Sequence, residues 1–195
     1  MFAMGIILRI MFLPANTIDM QISNLRWYDY IIEHGRFRAM GDLFADYTPP
    51  QLYLISLVTL TQSFLPKLTA IKLIPIAFDL ANVVLIYRIT REHFDTGVKP
   101  AFAAMTYWVL PTVMVNGAFW GQTDPVYVCF LLWCILLIIK GKWTAAIVAF
   151  SISFTLKAQA IFIVPLLAIF FFKKRIPWQT FPLVPLTYLI AMLPA

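Results

Sequence analysis

The chain has 195 residues, of which 62% are hydrophobic and only 12% are charged. Soluble domains carry about 25% charged residues, so this composition excludes an ordinary soluble protein and indicates a membrane protein. The formal net charge of +6 is explained by basic breaks between apolar runs, which face anionic lipid. Binding to nucleic acid is not expected.

Seven apolar runs predict an all-α fold, a polytopic membrane bundle of about seven transmembrane helices. The first run has no basic residue ahead of it and no small-residue cleavage site, so it is predicted to be a retained helix rather than a signal peptide. The predicted helices cover residues 1–13, 70–87, 101–117, 126–139, 143–156, 158–172 and 179–194.

The basic breaks predict the topology, because cytoplasmic loops accumulate Lys and Arg. The breaks around Arg91, Lys142 and Lys174 can all be cytoplasmic at once. This arrangement places a long first loop, residues 14–69, outside the membrane, together with residues 118–125 and a turn near Lys157.

The segment "PPQLYLISLVTLTQSFLP", residues 49–66, is apolar enough to count as a further crossing. Counting it would turn all three basic breaks outward. We therefore expect an interfacial or re-entrant helix within the first outer loop.

Polar residues in this apolar chain collect on the predicted outer side. Asp19 follows the first helix, Asp124 precedes the fourth, and Lys157 and Gln159 lie at the next outer turn. Ionisable groups near the membrane are costly and usually face a cavity or a partner. Two carboxylates and a lysine are thus expected to converge at one membrane face.

Five separated stretches occur in a characteristic order: "LRIMFLPANTID", "WYDYIIEHGRF", "DYTPPQLYL", "NGAFWGQTDPVY" and "LKAQAIFIVPLL". Together they resemble the GT-C superfamily of membrane glycosyltransferases, which use polyprenyl-phosphate-linked sugars. The WGQxD and KxQ elements are most similar to bacterial proteins related to the GPI mannosyltransferase II type. The resemblance covers essentially the whole chain. It implies that residues 1–195 are a single N-terminal seven-helix module, shorter than most family members.

The resemblance implies transfer of a mannose-like hexose from a polyprenyl-phosphate sugar to a lipid or glycan acceptor. The implied location is the bacterial cytoplasmic membrane, with the active site facing outside. Asp19 is implied as the catalytic carboxylate and Asp124 as the second acidic position, and Lys157 or Gln159 would contact the lipid phosphate. The remaining candidates for substrate binding are Gln122, Trp120, Asp46, Tyr47, Lys72 and Arg9.

Glycosyl transfer needs such groups. A carboxylate must take the proton of the acceptor hydroxyl as it attacks the anomeric carbon, and Asp19 is expected to be this base. The leaving phosphate requires a cation or fixed donors, a role that suits Lys157. Direct displacement would invert the anomeric configuration. A divalent cation, Mg²⁺ or Mn²⁺, between Asp19 and Asp124 is a further option.

Each candidate also has a structural interpretation. Asp19 fits the solvated end of a helix, and Asp124, followed by Pro125, fits a helix N-cap. Lys157 fits a lysine that extends its amine from a helix end to water. Trp120 and Trp27 fit the aromatic belt at the membrane interface.

Asp46 and Tyr47 fit the end of a loop before a helix that starts with proline. Asp79, inside the second predicted helix, fits a hydrogen bond within the bundle, with Asn82 three residues away.

His34 and His93 have no metal-ligand spacing with any partner, and no role is assigned to either. Cys129 and Cys134 lie five residues apart in one apolar helix, a spacing that argues against a disulfide or a metal site.

The sequence has no phosphate-binding GxxxxGK[ST] loop and no GxGxxG element, so a nucleotide-sugar donor is not expected. The alternative from another class is a non-catalytic membrane protein, such as a lipid or solute transporter or an assembly subunit, or an inactive fragment of a glycosyltransferase. The outer-loop position of the polar residues favours a catalytic site, because transporters place their breaks and sites near mid-membrane.

Overall fold

The computed structural model describes residues 1–193, which are helical and contain no β-strand, so the predicted all-α class is confirmed. The α-helices are α1 Phe2–Phe12, α2 Leu25–Glu33, α3 Pro49–Val58, α4 Lys67–Arg91, α5 Val98–Val109, α6 Pro111–Met114, α7 Asp124–Ile139, α8 Trp143–Leu156, α9 Val164–Phe172 and α10 Leu183–Met192. Short π-helical segments cover Met20–Asn24 and Val115–Phe119, and 3₁₀ segments include Arg36–Gly41, Thr59–Thr61, Ala158–Ile163 and Trp178–Thr180.

The centre of the bundle is α4, which packs against α5 on one side and α7 on the other. Helix α8 continues the row beside α7 and carries α10 on its far side. Helix α1 lies against α5, where Gly5 permits close contact: a Cβ at Gly5 would lie only 2.2 Å from the indole nitrogen of Trp108.

The first loop is a folded cap rather than a loose connection. Its buried side chains form one apolar cluster with the N-terminal ends of α4 and α7 and the C-terminal end of α8. Trp27 and Ile31 of α2 contribute from the loop, whereas Ile71, Val126 and Leu156 contribute from the bundle. The cap is also tied to α8 by the Thr48 hydroxyl, which donates to the carbonyl of Thr155 at 2.6 Å.

The segment 49–66 is not one continuous spanning helix. Helix α3 has ten residues, about 15 Å at 1.5 Å per residue, which is about half of the hydrocarbon core. It starts at Pro49 and Pro50 and is followed by the 3₁₀ turn Thr59–Thr61. Its length agrees with the interfacial or re-entrant segment predicted from the sequence.

The single helix predicted over 101–117 is wrong. The chain breaks between α5 and α6, and the two parts are bent by 49°. Pro111 causes the break, because a residue before proline is pushed out of the α region, and Leu110 has the extended angles φ −62° and ψ 123°. The part after the bend ends as the π-helical segment Val115–Phe119.

The last two predicted helices also differ from the structure. The run 158–172 begins as the 3₁₀ segment Ala158–Ile163 and becomes α-helical only in α9, which has Pro165 in its first turn. The run 179–194 contains a 3₁₀ turn and then α10, and the end predicted at residue 194 lies outside the described residues. The prolines set these starts because they lack an amide donor and fix φ.

By length and composition, α4 is one helix able to cross a membrane, and α5 with Pro111–Phe119 makes a second if the bent pair counts as one span. Helices α1, α7 and α8 and the run Ala158–Phe172 are apolar but have only 10–17 residues. The count of seven spanning helices stays a prediction.

A buried polar network joins four helices. Arg9 of α1 forms a salt bridge with Asp79 of α4 at 3.2 Å, and the Tyr107 hydroxyl of α5 donates to the same carboxylate at 3.0 Å. The Asn82 amide donates to Tyr107 Oη and to the carbonyl of Pro125 in α7, both at 3.0 Å. The predicted bundle-internal role of Asp79 is thus confirmed, although its direct partners are Arg9 and Tyr107 rather than Asn82.

Candidate functional site

Asp19 lies at the rim of a small cleft between the first loop and the segment before α7. The cleft has a volume of about 90 Å³. The carboxylate of Asp19 is exposed. It lies 3.5 Å from the side-chain amide nitrogen of Gln122, a distance at the outer limit of a hydrogen bond. We call this the Asp19 cleft; it is lined by Asp19, Ser23, Asn24, Trp27, Tyr47, Gln122 and Thr123.

The aromatic residues of the Asp19 cleft are held by the core. Trp27 is only 6% exposed, and its ring centroid lies 5.4 Å from that of Tyr47. Trp27 is therefore a wall of this cleft rather than an exposed residue of an interfacial belt.

Gly121 lets the segment before α7 approach the loop. It has a positive φ of 70°, and a Cβ there would lie 2.1 Å from the methyl carbon of Met20. The carbonyl of Gly121 lies 3.5 Å from the side-chain nitrogen of Asn24. The WGQTD stretch is thus placed directly against the residues that follow Asp19.

Asp124 is the first residue of α7, and its carboxylate has two partners. The Lys157 ammonium, at the end of α8, pairs with Oδ1, and the Asn116 amide donates to Oδ2 at 2.8 Å. The pair is partly open to solvent, with side-chain exposures of 19% for Lys157 and 33% for Asp124. A carboxylate and an ammonium predicted from separate motifs are therefore in direct contact.

The interpretation of Asp124 as a helix N-cap is wrong. Thr123 occupies the N-cap position of α7, and both oxygens of Asp124 point to side chains from other elements. Substituting Asp124 consequently removes a tertiary contact and not a cap.

A second cleft lies on the other side of Asp124, between α7 and the bent segment α5–α6. Its volume is about 200 Å³. We call it the Asp124 cleft; it is lined by Asp79, Tyr107, Thr112, Val113, Asn116, Asp124, Pro125 and Val128. The Asp19 cleft and the Asp124 cleft are lined by consecutive residues of one stretch, Gln122–Thr123 and Asp124–Pro125.

The other candidates fall into two groups. Trp120, Gln159 and Asp46 have exposed side chains and line neither cleft. Lys72 is fully buried and donates to the carbonyls of Phe12 at 2.8 Å and Ala15 at 2.6 Å, where α1 ends.

Arg9 is also buried. It donates to the carbonyl of Trp108 at 2.9 Å, and its guanidinium carbon lies 3.5 Å from the centroid of the Trp108 ring. Lys72 and Arg9 therefore have structural partners in the bundle, while their proposed contacts with substrate stay predictions.

The sequence alone gives no role to Asn116, although this residue opens the polar stretch NGAFWGQTD. It lies eight residues before Asp124, and the π-helical segment followed by the turn at Gly121 brings the two side chains together. Its side-chain oxygen is buried without a partner. The only sequence signal was its presence in the same polar stretch.

Comparison with known proteins identifies a family. A family model for dolichyl-phosphate-mannose-protein mannosyltransferases matches residues 46–195. The chain belongs to this family. Its members are membrane-integral glycosyltransferases of the GT-C type. No curated protein and no solved structure matches the chain.

The match starts at Asp46, so it contains the WGQTD stretch and Lys157 but not Asp19. The roles of Asp19, Asp124 and Lys157 stay predictions. Among residues 1–193, no group of three or more His, Cys, Asp and Glu side chains is arranged to hold a metal ion.

Proposed function

We propose that this protein transfers a mannose-like hexose from a polyprenyl-phosphate sugar to a lipid or glycan acceptor at the extracytoplasmic face of a bacterial cytoplasmic membrane. Family membership supports the reaction class. The observation that carries the proposal is the Gln122–Asp124 stretch, which touches Asp19 on one side and Lys157 on the other.

In the proposed reaction Asp19 is the general base. Its exposed carboxylate receives the proton of the acceptor hydroxyl, while that oxygen forms a bond to the anomeric carbon. The bond between the anomeric carbon and the phosphate oxygen breaks in the same step, and the configuration inverts. The side-chain amide of Gln122 lies next to Asp19 and orients it.

Lys157 stabilises the leaving phosphate. Its ammonium is partly exposed and already pairs with the carboxylate of Asp124. When the donor phosphate arrives, Lys157 can exchange this carboxylate for the phosphate. Charge-assisted hydrogen bonds of this kind are about twice as strong as neutral ones. A divalent cation between Asp19 and Asp124 stays a prediction. The proposed reaction uses only side chains of this protein.

The test is a transfer assay with purified full-length protein in detergent and a polyprenyl-phosphate mannose donor. Asp19→Asn should lower turnover by about 10²–10⁴-fold, because the amide keeps the shape but cannot accept the proton, and donor binding should persist. Asp29→Asn is the matched control, since Asp29 is another acid of the first loop and pairs with Lys67, which is also half-exposed.

Near-normal turnover of Asp19→Asn would refute the role of Asp19 and direct attention to Asp46 or Asp124. The same assay should show no transfer from a nucleotide sugar. Efficient use of such a donor would contradict the proposed donor class.

A further inference from the structure

The three basic breaks of the chain differ in how their charges are paired. The break after α4 contains two acids of its own, and one of them, Glu92, pairs with Lys140 of the break after α7 at 3.2 Å. The break after α9 has no acid and three adjacent basic residues, Lys173, Lys174 and Arg175. All three are exposed, and among residues 1–193 none of them forms an ion pair with an Asp or Glu. This break therefore presents three uncompensated positive charges.

The backbone of the same break is fixed by hydrogen bonds. The amide of Lys174 donates to the carbonyl of Phe171 at 2.8 Å, and the amide of Arg175 donates to the carbonyl of Phe170 at 2.9 Å. This is the Schellman motif, whose left-handed position is usually a glycine, as at Gly141 after α7 with φ 68°. After α9 the position is occupied by Lys174, with φ 55°. A non-glycine residue is strained there, and such strain is common at functional sites, so the lysine points to a role for its charge.

Two cavities adjoin this turn, and both are lined by Phe171 and Phe172. The first lies at the turn itself, has a volume of about 390 Å³ and is also lined by Lys174 and Trp178. The second has a volume of about 300 Å³ and lies between α8, α9 and α10. We call the second cavity the apolar crevice, because its lining residues, Ala168 among them, are all apolar. The two cavities lead from the three charges into the apolar part of the bundle.

A cluster of positive charges beside an apolar crevice matches the chemistry of an anionic phospholipid. Phosphate oxygens accept charge-assisted hydrogen bonds from Lys and Arg. Trp178 is 68% exposed, and tryptophan is enriched at the depth of the lipid headgroups. An acyl chain needs no hydrogen bond, so it suits a crevice without polar groups. A phosphate without chains would use the turn alone.

We propose that the turn at residues 173–176 and the apolar crevice bind one anionic phospholipid from the leaflet at this end of the bundle. Its phosphate contacts Lys173, Lys174 and Arg175, and one acyl chain lies between α8, α9 and α10. The turn belongs to the helix ends opposite Asp19 and Asp124. The lipid site is therefore separate from the proposed transfer site and does not depend on the proposed function.

The test is native mass spectrometry of the purified full-length protein, titrated in detergent with palmitoyl-oleoyl phosphatidylglycerol or with phosphatidylcholine of the same chains. The first phosphatidylglycerol should bind at least about tenfold more tightly than the first phosphatidylcholine, because each basic residue near the headgroup adds attraction for an anionic lipid. Glycerol phosphate, which has the charge without the chains, should not compete at the same concentration.

The three charges are tested together. The variant Lys173→Gln/Lys174→Gln/Arg175→Gln should lose the preference for phosphatidylglycerol. The matched control removes the same number of exposed charges in and beside the break after α4, as Arg88→Gln/Arg91→Gln/Lys99→Gln. The control should bind phosphatidylglycerol as the unaltered protein does.

Two single variants separate the charge from the chain. Lys174→Gly removes one charge together with the backbone strain, so affinity should fall about fivefold while the melting temperature should not fall. Ala168→Phe fills the apolar crevice without a change of charge and should lower affinity at least about fivefold, because the chain no longer fits below the headgroup. Ala101→Phe, at an exposed position of α5, is its control and should bind normally.

The proposal is overturned if the two lipids bind equally, or if both triple variants lose affinity to the same extent, which would indicate general charge attraction. Normal binding by a folded Ala168→Phe, or competition by glycerol phosphate, would show that no chain occupies the crevice. A melting curve shows whether each variant is folded. Should Ala168→Phe prove unfolded, the glycerol phosphate competition and the two triple variants still decide the question.

Discussion

At the scale of single residues, Asp124 divides its two oxygens between different partners. The Asn116 amide is part of a short π-helical segment and is held in place, whereas Lys157 is the last residue before a 3₁₀ turn and has extended angles of φ −155° and ψ 127°. An ion pair this exposed contributes little stability, about 0–1 kcal/mol. We therefore interpret it as holding the Lys157 ammonium in position for a phosphate.

Lys157→Gln should lower the transfer rate by about 10²–10³-fold, the effect of losing one preorganised donor to a developing anion. Its melting temperature should change little, because the remaining Asp124 carboxylate is one-third exposed and can be hydrated. Lys67→Gln, at the half-exposed ion pair with Asp29, is the control and should leave the rate unchanged. A normal rate for Lys157→Gln would remove Lys157 from the mechanism.

At the scale of elements, α1 is fixed to the bundle by charged groups as well as by apolar packing. Arg9 and Asp79 have side-chain exposures of 3% and 0%, and Gly117 leaves the space beside Asp79, since a Cβ there would lie 3.0 Å from Oδ2. A buried ion pair is not in itself a strong source of stability, but removing one partner leaves an uncompensated buried charge.

Asp79→Asn should therefore lower stability by about 3–5 kcal/mol, because Arg9 would keep its charge without a counterion. The double variant Arg9→Met/Asp79→Asn should recover most of this loss, since the amide oxygen can still accept from Tyr107. Melting temperatures in one detergent provide the comparison. If Asp79→Asn alone melted like the unaltered protein, the network would not hold α1 in place.

At the scale of the whole molecule, the candidate site lies at one end of the bundle. The C-terminal ends of α1 and α8 meet the N-terminal ends of α4 and α7 there, under the folded cap of the first loop. At the opposite helix ends, Arg91 is the last residue of α4, and Lys142 and Lys174 lie in the connections after α7 and α9. This separation agrees with a bundle whose site faces outside and whose basic connections face the cytoplasm.

A membrane-impermeant maleimide should label Asp42→Cys from outside the cell and should not label Arg91→Cys, Lys142→Cys or Lys174→Cys until the membrane is opened. Each cysteine is introduced into a Cys129→Ser/Cys134→Ala background so that it is the sole thiol. Labelling of position 91 from outside, without labelling of position 42, would invert the topology and place the site on the cytoplasmic side.

Local sequence determined the all-helical class and the approximate positions of α1, α4, α7 and α8, because an apolar run acts within one helix. The ends of α8 at Trp143 and Leu156 were predicted to the residue, and Asp19, Asp124 and Lys157 were named as candidates from their places beside apolar runs.

Only the tertiary structure decided which charges are paired. Lys157 reaches Asp124 across 33 positions of the chain, and Arg9 reaches Asp79 across 70. Such contacts depend on helix packing and on bends such as that at Pro111, which local hydropathy does not encode. For this reason the sequence named Asp79 as a buried acid but not its partners, and it left Asn116 without a role.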